Sequence, residues 1–321
     1  MLRYLLIVAD YSKAAARSSH CWFSVDRVAG DAETTAWKRL ARLRQSQWRE
    51  GRGYPIGSHP HGGGDEATPV GSRLALQFAT ETGANFVSAN ALTAVRTRLS
   101  RPERFEMLKA DRLWADLLSS MPLCFNLFGD LAGQQEAAER AVRAWWPDAP
   151  TGPATMRFEY SPGRRDPLFL GNQSAFDAAI ELDIGGGLLG LIGIETKYHE
   201  HAVVAAVPKA PALARYLEVT ERSGAFTDGW RERVVGTALQ QIWQDHLLAL
   251  SMLQHPSGRW AWTRFVLLYP AANASFARAA TAYRTLLRDT TTFEARTIDE
   301  LIAAPEALPG ITKARLLERY F

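Results

Sequence analysis

Cysteine is nearly absent from this chain: Cys21 and Cys124 are the only two in 321 residues. Two cysteines build neither a disulfide framework nor a zinc site, so the expected compartment is the reducing cytoplasm. Long apolar runs are missing too, and no stretch approaches the length of a membrane span. The opening Met1–Ala9 run is stopped by Asp10, is short for a secretory segment, and reads as the start of a buried strand or helix. Charge imbalance is small, with 37 basic against 34 acidic residues and a net charge of +3. That balance permits a nucleic-acid partner without arguing for one, so any binding groove must come from local clusters of arginine and lysine. Internal repeats are absent, and the one compositionally biased tract is the loop at 51–64 (GRGYPIGSHPHGGG). Its His59 and His61 have no third ligand near in sequence and are left out of the site. Hydrophobic residues at 47% and charged residues at 22% are ordinary globular values, which excludes disorder as the starting assumption.

What the chain does have is a β-hairpin pattern with chemistry at one end. Residues 174–183 (SAFDAAIELD) and 188–198 (LLGLIGIETKY) are apolar-rich, and Gly185-Gly186-Gly187 punctuates them. Side chains alternate along a strand, so Glu195 and Lys197 share a face. Asp177 shares its face with Ala175, Ala179 and Glu181, and the opposite, core-like face carries Phe176, Ala178, Ile180 and Leu182. Gly193 on the Glu195 face leaves room beside the charges. A hard divalent cation such as Mg²⁺ takes one or two carboxylates and completes its shell with water and phosphate oxygens, which Asp177 and Glu195 suit. Lys197 could then orient the attacking water or balance charge on the phosphate. A bare E-x-K triplet is common and often only an exposed ion pair; the apolar strand, the preceding Asp and the glycine turn supply the context it needs.

With those residues in place, the sequence resembles the PD-(D/E)-x-K nuclease superfamily, which has a restriction-endonuclease-like fold. Its pattern is an acidic residue on one strand and D/E-x-K on the next; here Phe176 stands where the family often has proline. The resemblance extends to an uncharacterised bacterial subgroup through 121–129 (MPLCFNLFG), 160–164 (YSPGR), Ser174–Asp177, Gly193–Lys197 and 241–248 (QIWQDHLL), and its core covers roughly residues 121–270. It implies an α/β (α+β) protein with an αβββαβ core, a mixed sheet flanked by helices, and a helical amino-terminal extension. It also implies a Mg²⁺-dependent endonuclease, with Mn²⁺ as a substitute and nucleic acid, DNA in the first place, as partner. The alternative is a catalytically silent nucleic-acid-binding or assembly module on the same fold, for which an intact Asp, Glu and Lys would be surplus.

Periodicity gives the same order. Residues 1–120 read as a mostly helical region packed on the core, 121–270 as the core and 271–321 as carboxy-terminal helices. Residues 34–49 have helical spacing, with Trp37, Leu40, Leu43 and Trp48 on one face and a basic face expected in solvent. Residues 70–118 read as mainly helical, with Pro102 in a first turn. A helix is expected over Leu131–Trp146, a strand over Ala154–Tyr160, a long helix over Trp230–Leu253 and a strand over Arg259–Tyr269. Family members often add a helix glutamate to the metal shell, for which Glu136 and Glu139 are candidates and Glu159 a third. They also often place a polar residue near the lysine, for which the resemblance points to Gln241 rather than Gln240. Arg164 and Arg165 are the pair expected to contact phosphate. His246 reads as a hydrogen-bonded core histidine, and His199 and His201 as a solvent-facing edge.

Overall fold

The computed structural model describes residues 13–21, 32–58 and 68–321, so the expectations for Met1–Ala9, His59 and His61 lie outside the described residues. Helices α1 (Lys13–Ser18) and α2 (Ala32–Gly51) precede a small hairpin of β1 (Ile56–Ser58) and β2 (Pro69–Leu74). Helices α3 (Leu76–Thr82), α4 (Ala89–Leu99), α5 (Ala110–Ala115), α6 (Ser120–Phe128) and α7 (Gln135–Trp145) follow. The central sheet has the order β3 (Ala154–Tyr160), β4 (Phe176–Gly185), β5 (Leu188–Thr196), β6 (Trp260–Tyr269), β7 (Phe293–Thr297). β3, β4 and β5 form an antiparallel meander, and β6 and β7 add to it in parallel. The parallel β5-to-β6 step needs a crossover, supplied by α8 (Ala210–Ser223), α9 (Trp230–Val234) and α10 (Gln240–Leu253). Helices α11 (Ala274–Arg284), α12 (Ile298–Ala303) and α13 (Gly310–Tyr320) complete the chain. The mixed sheet flanked by helices agrees with the expected restriction-endonuclease-like class.

The β4–β5 hairpin forms as its sequence demands. Gly185, Gly186 and Gly187 all take positive φ (86°, 64° and 77°), which side chains with a Cβ resist. Ala178 pairs with Ile194 and Ala179 with Gly193, which fixes the register of everything beyond.

Both faces of the sheet are buried. Ala178, Ile180, Leu182, Ile192, Ile194, Val266 and Leu268 share one apolar cluster with α6, α7 and residues of α2, α12 and α13. Ala179, Leu191, Phe265 and Leu267 share the other with α8, α10 and α11. The expectation of a polar face running along the hairpin is therefore corrected: a sheet with parallel central strands is covered on both sides. Phe176 likewise packs in the second cluster, not with Ala178, and its ring occupies the space beside Gly193 that the sequence left open.

Four helical expectations change. Trp230–Leu253 is broken between Val234 and Gln240, where Gly236 has a φ of 74°. Residues 70–118 begin with β2, and Pro102 lies in the loop between α4 and α5. The carboxy-terminal stretch contains β7, whose five residues are too few to show alternation. Leu131 belongs to a 3-10 turn ahead of α7. The basic side of α2 is not solvated either: Lys38, Arg42 and Arg49 are buried. Arg49 Nε donates to the Gly71 carbonyl at 2.9 Å, and Lys38 Nζ lies 2.6 Å from His201 Nδ1. Among the described residues, no helix is long and apolar enough to cross a membrane.

Candidate active site

β5 runs down the middle of the sheet, and Glu195 and Lys197 stand at its carboxyl end. Glu195 pairs with Leu267 of β6, and the Lys197 N–H donates to the Leu268 carbonyl at 2.8 Å. This extension of the ladder holds Lys197 even though the strand proper ends at Thr196. Glu195 is 9% exposed and Lys197 8%. Lys197 Nζ donates to Glu195 Oε1 at 2.6 Å, and Gln241 Nε2 donates to the same oxygen at 3.3 Å. Continuing the β4–β5 register by one residue sets Asp177 across from Glu195. Asp177 Oδ2 accepts the backbone N–H of Thr196 at 2.8 Å, so the acidic residue of β4 is tied to the middle of the E-x-K triplet.

One ammonium faces several carboxylates here. Burial, then Glu195, pushes the Asp177 carboxyl well above the usual aspartate range, against the opposing pull of Lys197 and the Thr196 N–H. Burial and Glu195 do the same to Asp245 on α10, again opposed by Lys197. Burial pulls Lys197 down, but Glu195, Asp245, Glu200 and Asp177 more than offset it, leaving its pKa above the usual lysine value. Desolvated carboxylates in excess of their counter-charge hold protons or a cation.

A hard divalent ion fits the donor set. Among the described residues no group of three or more His, Cys, Asp or Glu side chains is gathered to hold a metal. Asp177 and Glu195, set across from each other, are two carboxylates, the number such an ion takes before water and phosphate oxygens complete its shell. Asp245 Oδ2, buried and without a hydrogen-bond partner, adds an unsatisfied carboxyl oxygen near the pair.

The other sequence candidates separate. Glu159 lies near the site: it is largely buried, acts on Asp177, and its carboxyl is raised mainly by burial, with Arg164 opposing. It sits at φ 50°, an uncommon backbone state for a non-glycine residue. Glu136, expected as the helix carboxylate, has its side chain 92% exposed on α7 and faces Arg140 at 3.9 Å. Glu139 accepts from Gln135 at 2.9 Å and lies 3.9 Å from Arg143. Both pair along α7 itself, Glu136 in solvent and Glu139 half-buried.

Arg164 is corrected as well. Its side chain is 5% exposed and donates to the carbonyls of Glu159 and Gln173 at 3.0 and 2.9 Å, which locks the loop between β3 and β4. Arg165 is exposed and stacks on Phe105, its guanidinium carbon 3.7 Å from the ring centre. His246 is buried between Tyr283 Oη and Thr292 Oγ1, at 3.0 and 2.9 Å. His199 is not a fraying edge, since its Nδ1 lies 2.9 Å from the Leu118 carbonyl.

Asp245 is the site residue that sequence reasoning passed over. Gln241 and Asp245 are four apart on one helix, which puts them on one face. That spacing was a readable signal, but nothing in the sequence said that α10 turns this face toward Glu195.

A model of the PD-(D/E)XK nuclease superfamily matches residues 31–321. No curated protein and no solved structure matches the chain. The family match spans most of the sequence and includes both the strand that carries Asp177 and the strand that ends in Glu195-x-Lys197. On that extent, the chain belongs to the PD-(D/E)XK nuclease superfamily.

Proposed function

We propose that this protein is a metal-dependent nuclease that hydrolyses phosphodiester bonds, and more narrowly a DNA endonuclease of restriction or phage defence working in the cytoplasm. The observation that carries the nuclease reading is the constellation of half-buried Asp177 with buried Glu195 and Lys197, joined through the Thr196 N–H and the 2.6 Å ion pair. The narrower part rests on the likeness to restriction-endonuclease-like proteins.

Asp177 and Glu195 would hold Mg²⁺, or Mn²⁺ in its place. When bound, such an ion polarises a phosphoryl oxygen and makes a coordinated water more acidic. The protein's own groups do the rest. Lys197 stays protonated among the carboxylates, so it acts as a fixed cation and hydrogen-bond donor for the attacking water or the developing phosphorane charge, not as a base. Gln241 donates to Glu195 Oε1 and fixes the carboxylate's orientation. The covered sheet faces leave these groups in a low-dielectric setting, where preorganised charge acts more strongly than in water.

Purified protein given closed circular plasmid, linear duplex, single-stranded DNA or RNA with Mg²⁺, Mn²⁺ or EDTA tests this. Nicking or linearisation of the plasmid with metal and none with EDTA is the expected result. Tight binding of nucleic acid with no cleavage under any metal would overturn it in favour of a silent binding module.

A further inference from the structure

Asp245 is a charged group at this site whose state the ion pair does not explain. It projects from α10 one turn after Gln241, which already reaches Glu195 Oε1. Its Oδ2 is buried and makes no hydrogen bond. A buried carboxylate without a partner is costly, and a site keeps one where another arrangement satisfies it. The candidate partner is at hand. Gln241, one turn before Asp245 on the same helix face, shares the acceptor Glu195 Oε1 with the Lys197 ammonium, which has three donor hydrogens on a flexible stem. In the structure that ammonium is committed to Glu195 Oε1 at 2.6 Å.

We propose that Asp245 is a positioning residue that takes over the Lys197 ammonium when Glu195 is engaged by a divalent cation. The inference rests on the nuclease reading above. One lysine has two carboxylate acceptors. A cation on Glu195 competes for the oxygen that Lys197 now holds, and the oxygen that gains a donor in exchange is Asp245 Oδ2. The exchange conserves hydrogen bonds: one is given up at Glu195 and one is made at Asp245. It also keeps the ammonium from following the carboxylate, leaving its remaining hydrogens for water or phosphate. Gln241 stays on Glu195 throughout, so the two helix residues divide the work: Gln241 steadies the carboxylate and Asp245 the lysine.

Asp245→Asn and Asp245→Glu, each in the full chain, test the exchange by two routes. The first follows the Lys197 ammonium by NMR on protein labelled with ¹⁵N-lysine, assigned with Lys197→Arg, as Ca²⁺ is added without nucleic acid. In wild type the resonance should move and persist. In Asp245→Asn it should be present before Ca²⁺ and broaden away after it, because the ammonium then exchanges with solvent. A resonance unchanged by saturating Ca²⁺ in wild type, or identical behaviour in Asp245→Asn, overturns the proposal whether or not the protein cuts nucleic acid. The second route is kinetic. Asp245→Asn should lower kcat at least tenfold with KM within twofold and calorimetric Ca²⁺ affinity within twofold, and Asp245→Glu should recover part of the loss. A tenfold loss of Ca²⁺ affinity would make Asp245 a metal ligand and overturn the positioning role. If wild type itself cuts nothing, the nuclease reading fails while the NMR result still decides the exchange.

Discussion

Asp177 Oδ2 accepts the Thr196 N–H at 2.8 Å, so the acidic residue of one strand is anchored to the backbone between the glutamate and lysine of the next. Neither residue can shift without the other, and the register Ala178↔Ile194 explains why they meet. Replacing Asp177 by asparagine keeps an acceptor for that N–H and removes a charge pressed by burial and by Glu195. Metal-free Asp177→Asn should therefore melt above wild type while losing cleavage altogether. A lower melting temperature would mean that the carboxylate stabilises the metal-free fold.

Lys197 does not sit in the exposed ion pair that a bare E-x-K triplet often makes. Its ion pair with Glu195 is buried, and removing one partner of such a pair strands a charge at a cost of about 3–5 kcal/mol. Lys197→Met should lower metal-free stability on that scale. Adding Glu195→Gln should restore most of it, which denaturant unfolding of the four-member cycle will show. Cleavage should fall by about 10²–10³ or more in every member that lacks either residue.

Glu136 and Arg164 should each act outside the role their sequence context suggested. With its side chain 92% exposed, Glu136→Ala should leave cleavage and metal affinity at wild-type values and stability within about 0.5 kcal/mol. Arg164→Ala strands two carbonyls inside the β3–β4 loop and should cost about 1–3 kcal/mol. It should not change the salt dependence of nucleic-acid binding, as loss of a phosphate contact would. A reduced salt slope in a normally folded Arg164→Ala would return the residue to the binding surface.

His246 gives the fold an acid limit. Burial lowers its pKa from 6.5 to about 3. Between those values the unfolded chain holds a proton that the folded chain lacks, so stability falls as pH drops and the contribution is complete above 6.5. From pH 6.5 to 5 the loss should be about 2 kcal/mol, at about 1.4 kcal/mol per unit. Urea unfolding of wild type and His246→Gln at pH 7 and 5 should show the wild type losing more by that amount.

Much of the site was legible because it is local. The glycine turn, the apolar runs and the alternation place Asp177, Glu195 and Lys197 on a hairpin, and strand geometry alone puts Glu195 and Lys197 on one side. Gln241 came from the likeness of its segment to the family, and its bond to Glu195 is a contact across 46 positions that no local pattern contains. The placements of Glu136 and Arg164 were not legible for one reason: chemistry and spacing name a residue's possible partners, but burial chooses among them. Arg164 could have met phosphate and instead satisfies loop carbonyls. Lys38, Arg42 and Arg49 of α2 could have faced solvent and instead pack inside.

By itself the sequence determined the αβββαβ order, the hairpin and the triplet at its end, because periods of two and 3.6 and the left-handed tolerance of glycine act over a few residues. Only the tertiary structure decided that both sheet faces are covered, that α10 is a separate helix starting at Gln240, and that this helix brings Asp245 to Lys197. Those outcomes depend on where the β5-to-β6 crossover lays its helices, which is set by side chains far apart in sequence competing to leave water.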